Sequence, residues 1–595
     1  MNQKEKIIQE MFDKGILVSQ EFLENNSLDK SLNNNLIDKV KAEADIIVLN
    51  SDYAEVIAQQ TSLVDWYEID KYRVESEKER NDELYQSQLQ NLHHSNLIFN
   101  SSNSSEISNN LSDNNLTSKY TSQQFSSLET ELKTELGTTF SIEVSNSSLL
   151  DPDLDSESIL ILKDKSKELQ EKVNNTFNSV TIVVSYDNKP FKYEVKDFAN
   201  IFSSRYRFLS PLIRNHQEMQ GTLPISRILD KKEREAVSII GLIDEINTTK
   251  NGHIILTLED LTGKIKVLIS KNNKDLLDLA KDLIPDEVIG IVGKSGDKIV
   301  FAENIIWPDL PNNNELRKGE LDEAAIFLSD IHLGSKVFLK EEFEKFLRWL
   351  NGDIGNEQQR DSAKKVKYIF IAGDIVDGIG IYPSQEEELE IKDITQQYQE
   401  LTNYLKQIPS DKQIIICPGN HDMVHLAEPQ PIFYKEYSPS LFELPNLTLI
   451  TNPGMVNISK TKSFSGFDVL VYHGYSFDYY IAKVESIRNN GGYHRADLVM
   501  EFLLKRRHLA PSFKSTPYFP GHKEDPLLIK KIPDFFLTGH IHYSKVANYK
   551  GVTMICGSCW QGKTSFQEKL GHEPEPGRVP WVNLKTREVK ILKFI

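Results

Sequence analysis

Hydrophobic positions follow several rhythms along the chain. Up to about residue 90 they recur at helical spacing: Ile7, Ile8, Met11 and Phe12 share a face, and the pattern resumes through LIDKVKAEADIIV and YAEVIAQ. This predicts a small helical module over residues 1–90, expected to dock and not to catalyse. Residues 91–178 break the rhythm. Serine and asparagine fill 16 of the 28 positions from 100 to 127. Such a stretch cannot bury enough apolar surface to offset its ordering entropy, so a flexible linker is expected over 91–178. The short patterns at 128–178 support no assignment.

From Val180 the period changes to two. TIVVSYDNKPFKYEV alternates like a hairpin turning near Asp187-Asn188, and KDFANIFSSRYRFLSPLIRNH reads as helix. AVSIIGLIDEINTTKNGHIILTLEDLTGKIKVLISKNN then holds three or four short strands with turns at Asn251-Gly252 and Thr262-Gly263, and DEVIGIVGKSGDKIVFAENIIWPD adds two more. Five short strands with a helical insertion predict a closed barrel of the OB type over 179–315. Its strands are poor in aromatics, so contact with single-stranded nucleic acid and docking of a protein partner are both open. Over 322–595, apolar runs of four to six residues alternate with helical patterns, which predicts buried strands in an α/β core.

Five polar signatures follow those apolar runs. They are AAIFLSDIHLG with Asp330 and His332, KYIFIAGDIVDG with Asp374, QIIICPGNHDM with Asn420 and His421, FDVLVYHGYS with His473, and DFFLTGHIHYS with His540 and His542. Each cluster is expected at the C-terminal end of a strand, where open α/β sheets bind ligands. Positions i and i+2 of an extended segment face one side, so Asp330 with His332, and His540 with His542, can converge. Carboxylate, imidazole and amide donors suit Mn²⁺, Fe or Zn²⁺ better than Ca²⁺. Asp374 is placed to bridge two cations. Two metals would clamp a phosphate and activate a water, which predicts a two-metal phosphoesterase. His421, beside Asn420, is free to meet substrate, where it could stabilise the pentavalent phosphate or protonate the departing oxygen. Each signature alone also occurs in ordinary turns; the five together are what point to a site. Asp377 and Asp422 are weaker candidates; Asp422 could orient His421, but a turn residue is the expected role.

Other candidates carry less. Cys556 and Cys559 have the C-x-x-C form, but only Cys417 remains, so no four-cysteine zinc site is possible within the chain. Lys505, Arg506, Arg507 and His508 read either as a DNA contact or as a solvated helix face. Glu386, Glu387 and Glu388 read as exposed helix, and His494 and Arg495 as candidate cleft residues. EVKILKFI at the C-terminus reads as a last strand or a docking peptide. There is no phosphate-cradling glycine loop and no nucleophilic serine elbow.

Composition narrows the class. The 595 residues suit three or four domains. A net charge of −18 excludes a polybasic binder without excluding a nuclease, because bound metals carry their own positive charge. Three cysteines, no signal-like N-terminus and no long apolar window predict a soluble, intracellular, cytoplasmic protein without a membrane partner.

The order D-x-H, G-D-x-x-D, G-N-H-D, H-G and G-H-x-H resembles the calcineurin-like metallophosphoesterase superfamily. FLSDIHLGSKVF, CPGNHDMVHLAEPQP, VYHGYSFDYYI, LLKRRHLAP and DPLLIKKIPDFFLTGHIH, with a barrel directly upstream, resemble the family of small subunits of archaeal D-family DNA polymerases. The likeness covers about 180–595 well and the first 180 residues only in layout. It implies two packed mixed sheets flanked by helices, and a 3′→5′ proofreading exonuclease with two divalent ions, manganese being the expected species and zinc or iron the alternatives. It implies Asp330, His332, Asp374, Asn420, His473, His540 and His542 as metal ligands and His421 as the catalytic histidine. The implied partners are a large polymerase subunit and single-stranded 3′ ends of DNA; a sliding clamp is a further candidate. The alternatives are a mainly architectural polymerase subunit and a repair-type nuclease or phosphoesterase of the same superfamily, which the upstream barrel disfavours.

Overall fold

The structure, a computed structural model, describes residues 17–18, 48–49, 180–186, 192–231 and 234–595. The chain divides into two compact units, residues 1–150 and 151–595. In the first, β1 (Leu17–Val18) pairs in parallel with β2 (Val48–Leu49). Otherwise the helical module expected over 1–90 and the linker over 91–178 lie outside the described residues.

The second unit begins with β3 (Val180–Val184) and the helix Val195–Arg214. Five strands follow: β4 (Ala236–Thr248), β5 (Ile254–Asp260), β6 (Gly263–Ile269), β7 (Val288–Gly296) and β8 (Ile299–Ile306). They close into a barrel in the order β4-β5-β6-β8-β7, as the alternating pattern predicts. Ile254, Leu256 and Leu258 of β5, and Ile265, Val267 and Ile269 of β6, point inward at every second position. The turn after Asp260 is held by its carboxylate, which accepts from the N–H groups of Thr262 (2.7 Å) and Gly263 (3.0 Å). Between β6 and β7 the helix Lys274–Ala280 lays Leu276 and Ala280 onto the barrel core. Leu209 and Ile213 of the helix Val195–Arg214 cover Ile240, Leu242 and Val288 on the outside of β4 and β7.

The remainder builds two six-stranded mixed sheets. One has the order β12-β11-β10-β9-β18-β19 and is made of β9 (Ala324–Leu328), β10 (Val366–Ala372), β11 (Gln413–Cys417), β12 (Leu447–Leu449), β18 (Arg578–Asn583) and β19 (Val589–Lys593). The other has the order β16-β17-β15-β14-β13-β3 and adds β13 (Gly454–Ile458), β14 (Phe467–Val471), β15 (Phe535–Thr538), β16 (Lys545–Tyr549) and β17 (Val552–Cys556). Both faces of the central strands are covered, which is why the strands read as continuous apolar runs. On β9, Ala325 and Phe327 face the second sheet; Phe327 stacks on Phe370 of neighbouring β10 at 5.4 Å and meets Phe535 of the second sheet at 5.8 Å. Ala324, Ile326 and Leu328 face the helices Lys340–Leu350 and Ile394–Leu405. On the far side, the helices Phe477–Lys483 and Ala496–Arg506 cover the second sheet.

The fold departs from expectation in two places. β3 pairs antiparallel with β13, and Lys192–Glu194, where the returning strand of the expected hairpin would lie, has no strand; the expected turn at Asp187-Asn188 lies outside the described residues. The first strand of the 179–315 span is therefore an edge strand of the second sheet, because β13 offers an open edge that accepts it. The run from Lys505 to His508 is not a solvated face. Arg506, Arg507 and His508 are buried. Nε of Arg506 lies 2.8 Å from Oε2 of Glu287 in the barrel, and Arg507 donates to the carbonyls of Ile529 and Lys530. Lys505 sits over the Trp307 ring at 4.1 Å. The run joins barrel to α/β layers. EVKILKFI forms β19, an edge strand antiparallel to β18.

Candidate metal centre

All five signatures lie where β9, β10, β11, β14 and β15 end, on one rim of the packed sheets. The donors converge as expected, but not through extended backbone. Asp330, His332, Asp374, His540 and His542 adopt left-handed backbone conformations, with φ of 52°, 51°, 49°, 70° and 59°. Each such residue costs on the order of 1–3 kcal/mol and persists only where its surroundings over-determine it. Here the loops are tied to one another. The N–H of Asp330 donates to the Gly373 carbonyl and that of His332 to the Asp374 carbonyl, both at 3.0 Å. The N–H of His540 donates to the Asp330 carboxylate at 2.9 Å, and that of His421 to Oδ1 of Asp374 at 2.8 Å. The contacts are close enough to require glycine at two positions. A Cβ on Gly419 would fall 2.2 Å from Oδ1 of Asp374, and one on Gly539 would fall 2.5 Å from Oδ2 of Asp330.

The structure brings every candidate donor together. Asp330, His332 and His542 form one group; Asp374, His473 and His540 form a second; Asp374 also joins His332 and His421. Within each group the donor atoms lie within 4.8 Å of one another. Nε2 of His332 and Nε2 of His542 are 3.1 Å apart, and Nε2 of His473 lies 3.1 Å from Oδ2 of Asp374 and 2.9 Å from Oδ1 of Asn420. Asp374 thus stands between two sets of donors. Outer nitrogens are engaged elsewhere: Nδ1 of His332 by Oδ1 of Asp377 (3.1 Å), Nδ1 of His473 by the Ala372 carbonyl (2.7 Å), Nδ1 of His542 by the Gln567 amide (3.0 Å) and Nε2 of His540 by Asp478 (2.9 Å). Outer partners of this kind orient metal-binding imidazoles.

Asp330 and Asp374 are buried, and their ion-pair partners among the described residues are histidines alone. Burial opposes their charge, yet His542 and His473 hold Asp330 below the usual carboxylate range, and His473 and His421 hold Asp374 well below it. Burial likewise opposes charge on His473, but Asp374 and Asp330 push it up to about 10. Two buried carboxylates that stay ionised with no Lys or Arg paired to them among the described residues, and with imidazole nitrogens turned toward them, form a donor set that fits divalent cations. The cluster opens into a cavity of about 500 Å³.

Asp377 and Asp422 prove to be supports. Asp377, buried, holds His332 and accepts from the Gln561 and Gln385 amides at 2.8 and 3.1 Å. Its own carbonyl lies 2.8 Å from Nδ1 of His421. Asp422 accepts from the Gly419 N–H at 2.8 Å, which is the turn role expected of it. Burial and Asp374 push its carboxyl up to about 8. Gln385, Gln561 and Gln567 lie in no motif and reach the cluster only through the fold, and Asp478, inside the VYHGYSFDYYI segment, carries no signal of its own there. Arg495 pairs with Asp497 and the His494 ring rests on Tyr543; neither lines the cavity, whereas Tyr493 does. Glu386 and Glu387 are exposed in the short helix Gln385–Glu388. Cys417, Cys556 and Cys559 are buried free thiols.

The family model of the OB-fold nucleic acid binding domain matches residues 237–297, the barrel, and that of the B-subunit family of DNA polymerases alpha and epsilon matches 325–546. A barrel joined to an α/β domain matched by that family's model points to the class: a subunit of a DNA polymerase. The DNA polymerase II small subunit of Methanothermobacter thermautotrophicus is 39% identical over 401 residues, 67% of this chain and 80% of that protein. Its counterpart in Archaeoglobus fulgidus is 42% identical over 385 residues, covering 65% and 74%, and that of Pyrococcus furiosus 36% identical over 455, covering 72% of each. The chain belongs to this family of archaeal DNA polymerase II small subunits.

Proposed function

We propose that this polymerase subunit is itself a metal-dependent 3′→5′ exonuclease of the metallophosphoesterase type, which proofreads DNA for a separate large polymerase subunit. The observation that carries the reading is the donor cluster, with Asp374 common to both sides of it. Asp330, His332 and His542 would hold one divalent ion, Asn420, His473 and His540 the other, and Asp374 both. Manganese is the expected species, with zinc or iron as alternatives. Bound there, the pair of ions would polarise the phosphodiester and lower the pKa of a water.

The chain's own residues supply the rest. The Asp377 carbonyl accepts from Nδ1 of His421, which fixes the tautomer and leaves Nε2 to exchange a proton with the departing 3′ oxygen. Burial keeps His421 readily deprotonated, with Asp374 pulling the other way. Asp377, Ala372, Gln567 and Asp478 hold the liganding imidazoles in orientation.

The test is degradation of single-stranded DNA with Mn²⁺ by the natural chain and by His421→Ala. A loss of about 10²- to 10⁴-fold, with Mn²⁺ binding and circular dichroism unchanged, is expected. Equal activity in both would overturn the mechanism, and hydrolysis of small phosphoesters with none of DNA would favour a phosphoesterase of another kind. A second, architectural reading draws on the match to the B-subunit family; it predicts that Asp374→Asn leaves a reconstituted polymerase fully accurate. A sliding clamp would have the edge of β19 and the exposed Ile595 to dock on.

A further inference from the structure

The walls of the candidate cavity differ from its floor. The floor is the cluster of histidines and carboxylates. Toward the mouth stand Ile379, Ile381, Met423, Leu426 and Phe566, each between 39% and 46% exposed. Among the described residues no Lys or Arg lines the cavity. A nucleic-acid strand entering it would therefore meet apolar and aromatic surface where most strand-binding grooves offer cations.

Among these residues one pair has the geometry of a platform. The rings of Tyr382 and Phe566 stack at 5.1 Å with 19° between their planes. Tyr382 in turn lies 6.3 Å from the His421 ring, and its hydroxyl donates to Glu388 at 2.9 Å, which fixes the ring. Phe566 sits in the helix Ser565–Leu570, whose N-cap Thr564 accepts from the Gln567 N–H. Gln567 also touches Nδ1 of His542. One helical turn thus ties the exposed aromatic ring to a residue of the donor cluster.

We propose that Phe566, backed by Tyr382, is the surface on which the terminal base of the substrate strand stacks, and that stacking in place of phosphate ion pairing supplies the site's hold on the strand end. This rests on the exonuclease reading above and adds to it the residues and the force that select the end. A terminal base already free of its partner has both faces open to stacking, so the platform favours unpaired ends.

The experiment uses the full chain with Mn²⁺ and two oligonucleotides, one ending in 2-aminopurine and one ending in an abasic residue. Stopped-flow emission reports stacking before turnover, and product release reports hydrolysis. Quenching of 2-aminopurine by the natural chain is expected, lost in Phe566→Ala and kept in Phe566→Trp. KM for the base-bearing end is expected to rise about tenfold in Phe566→Ala and to stay unchanged for the abasic end. KM is also expected to change less than about threefold between about 50 and 200 mM salt, because few phosphates are neutralised by side chains. Equal quenching in the natural chain and Phe566→Ala, or an equal rise in KM for both ends, would overturn the platform while leaving the exonuclease reading intact. Quenching that depends on Phe566 with no hydrolysis by the natural chain would keep the platform and sink the exonuclease.

Discussion

Asp377 shows how much a single side chain outside the donor set can decide. One carboxylate oxygen holds Nδ1 of His332 while its own carbonyl holds the His421 ring. Removing the carboxylate leaves the backbone carbonyl in place, so the two roles separate. Asp377→Ala is expected to raise the Mn²⁺ concentration for half-maximal activity by about 10- to 100-fold while kcat at saturating metal changes little. A metal titration followed by nuclease assay reads both; an unmoved half-saturation point would show that His332 needs no such support. At this scale the sequence revealed the candidate donors that the fold clusters, because five short signatures each follow a strand-like run. It concealed the supports. A glutamine such as Gln561 or Gln567 has no motif, and only folding brings it to the cluster.

Between elements, the join of the helix Val195–Arg214 to the loop around Asp525 has its own chemistry. Asp525 is buried and takes Nε of Arg205, Nε2 of His508 and the Tyr518 hydroxyl at 2.8, 2.8 and 2.7 Å. Burial and the nearby Arg205 charge push His508 down to about 4, whereas His508 and Arg205 hold Asp525 far below its usual range against burial. An unfolded histidine takes up its proton near pH ~6.5. Between about pH 6.5 and 4 the unfolded chain therefore binds more protons than the folded one, and stability falls as the pH falls. The Asp525 contribution is lost only at lower pH, below about 3.9. Loss of up to about 3 kcal/mol through His508 is expected across that upper window. Urea unfolding at several pH values measures it, and His508→Gln should flatten the profile there. The barrel and the α/β strands were legible as elements because their periodicities are local. The place of β3 was not, because its partner β13 lies far along the chain and pairing follows from an open sheet edge.

For the whole molecule, a buried contact joins barrel to α/β layers. Arg506 meets Glu287, which also accepts from the Trp307 indole at 3.0 Å and the Ile284 N–H at 2.8 Å. Deleting the arginine strands a buried carboxylate. Arg506→Ala is expected to lower unfolding free energy by about 3–5 kcal/mol, and Arg506→Ala with Glu287→Gln by less. Denaturant unfolding of these two variants and of Glu287→Gln alone tests this; an additive result would show that the charges do not interact. The net charge of −18 takes on meaning at the same scale. The candidate site carries buried carboxylates and, among the described residues, no lysine or arginine, so its local field favours cations. Local period and residue type were enough to read from the sequence the barrel, the buried strands and the candidate donors that the fold brings together. Three features needed the folded chain. Asp330, His332, Asp374, His540 and His542 turn inward through left-handed backbone, a basic run becomes a buried joint, and Tyr382 and Phe566 share one wall. Each depends on contacts between segments far apart in the chain, and no local pattern encodes the energy of such a contact.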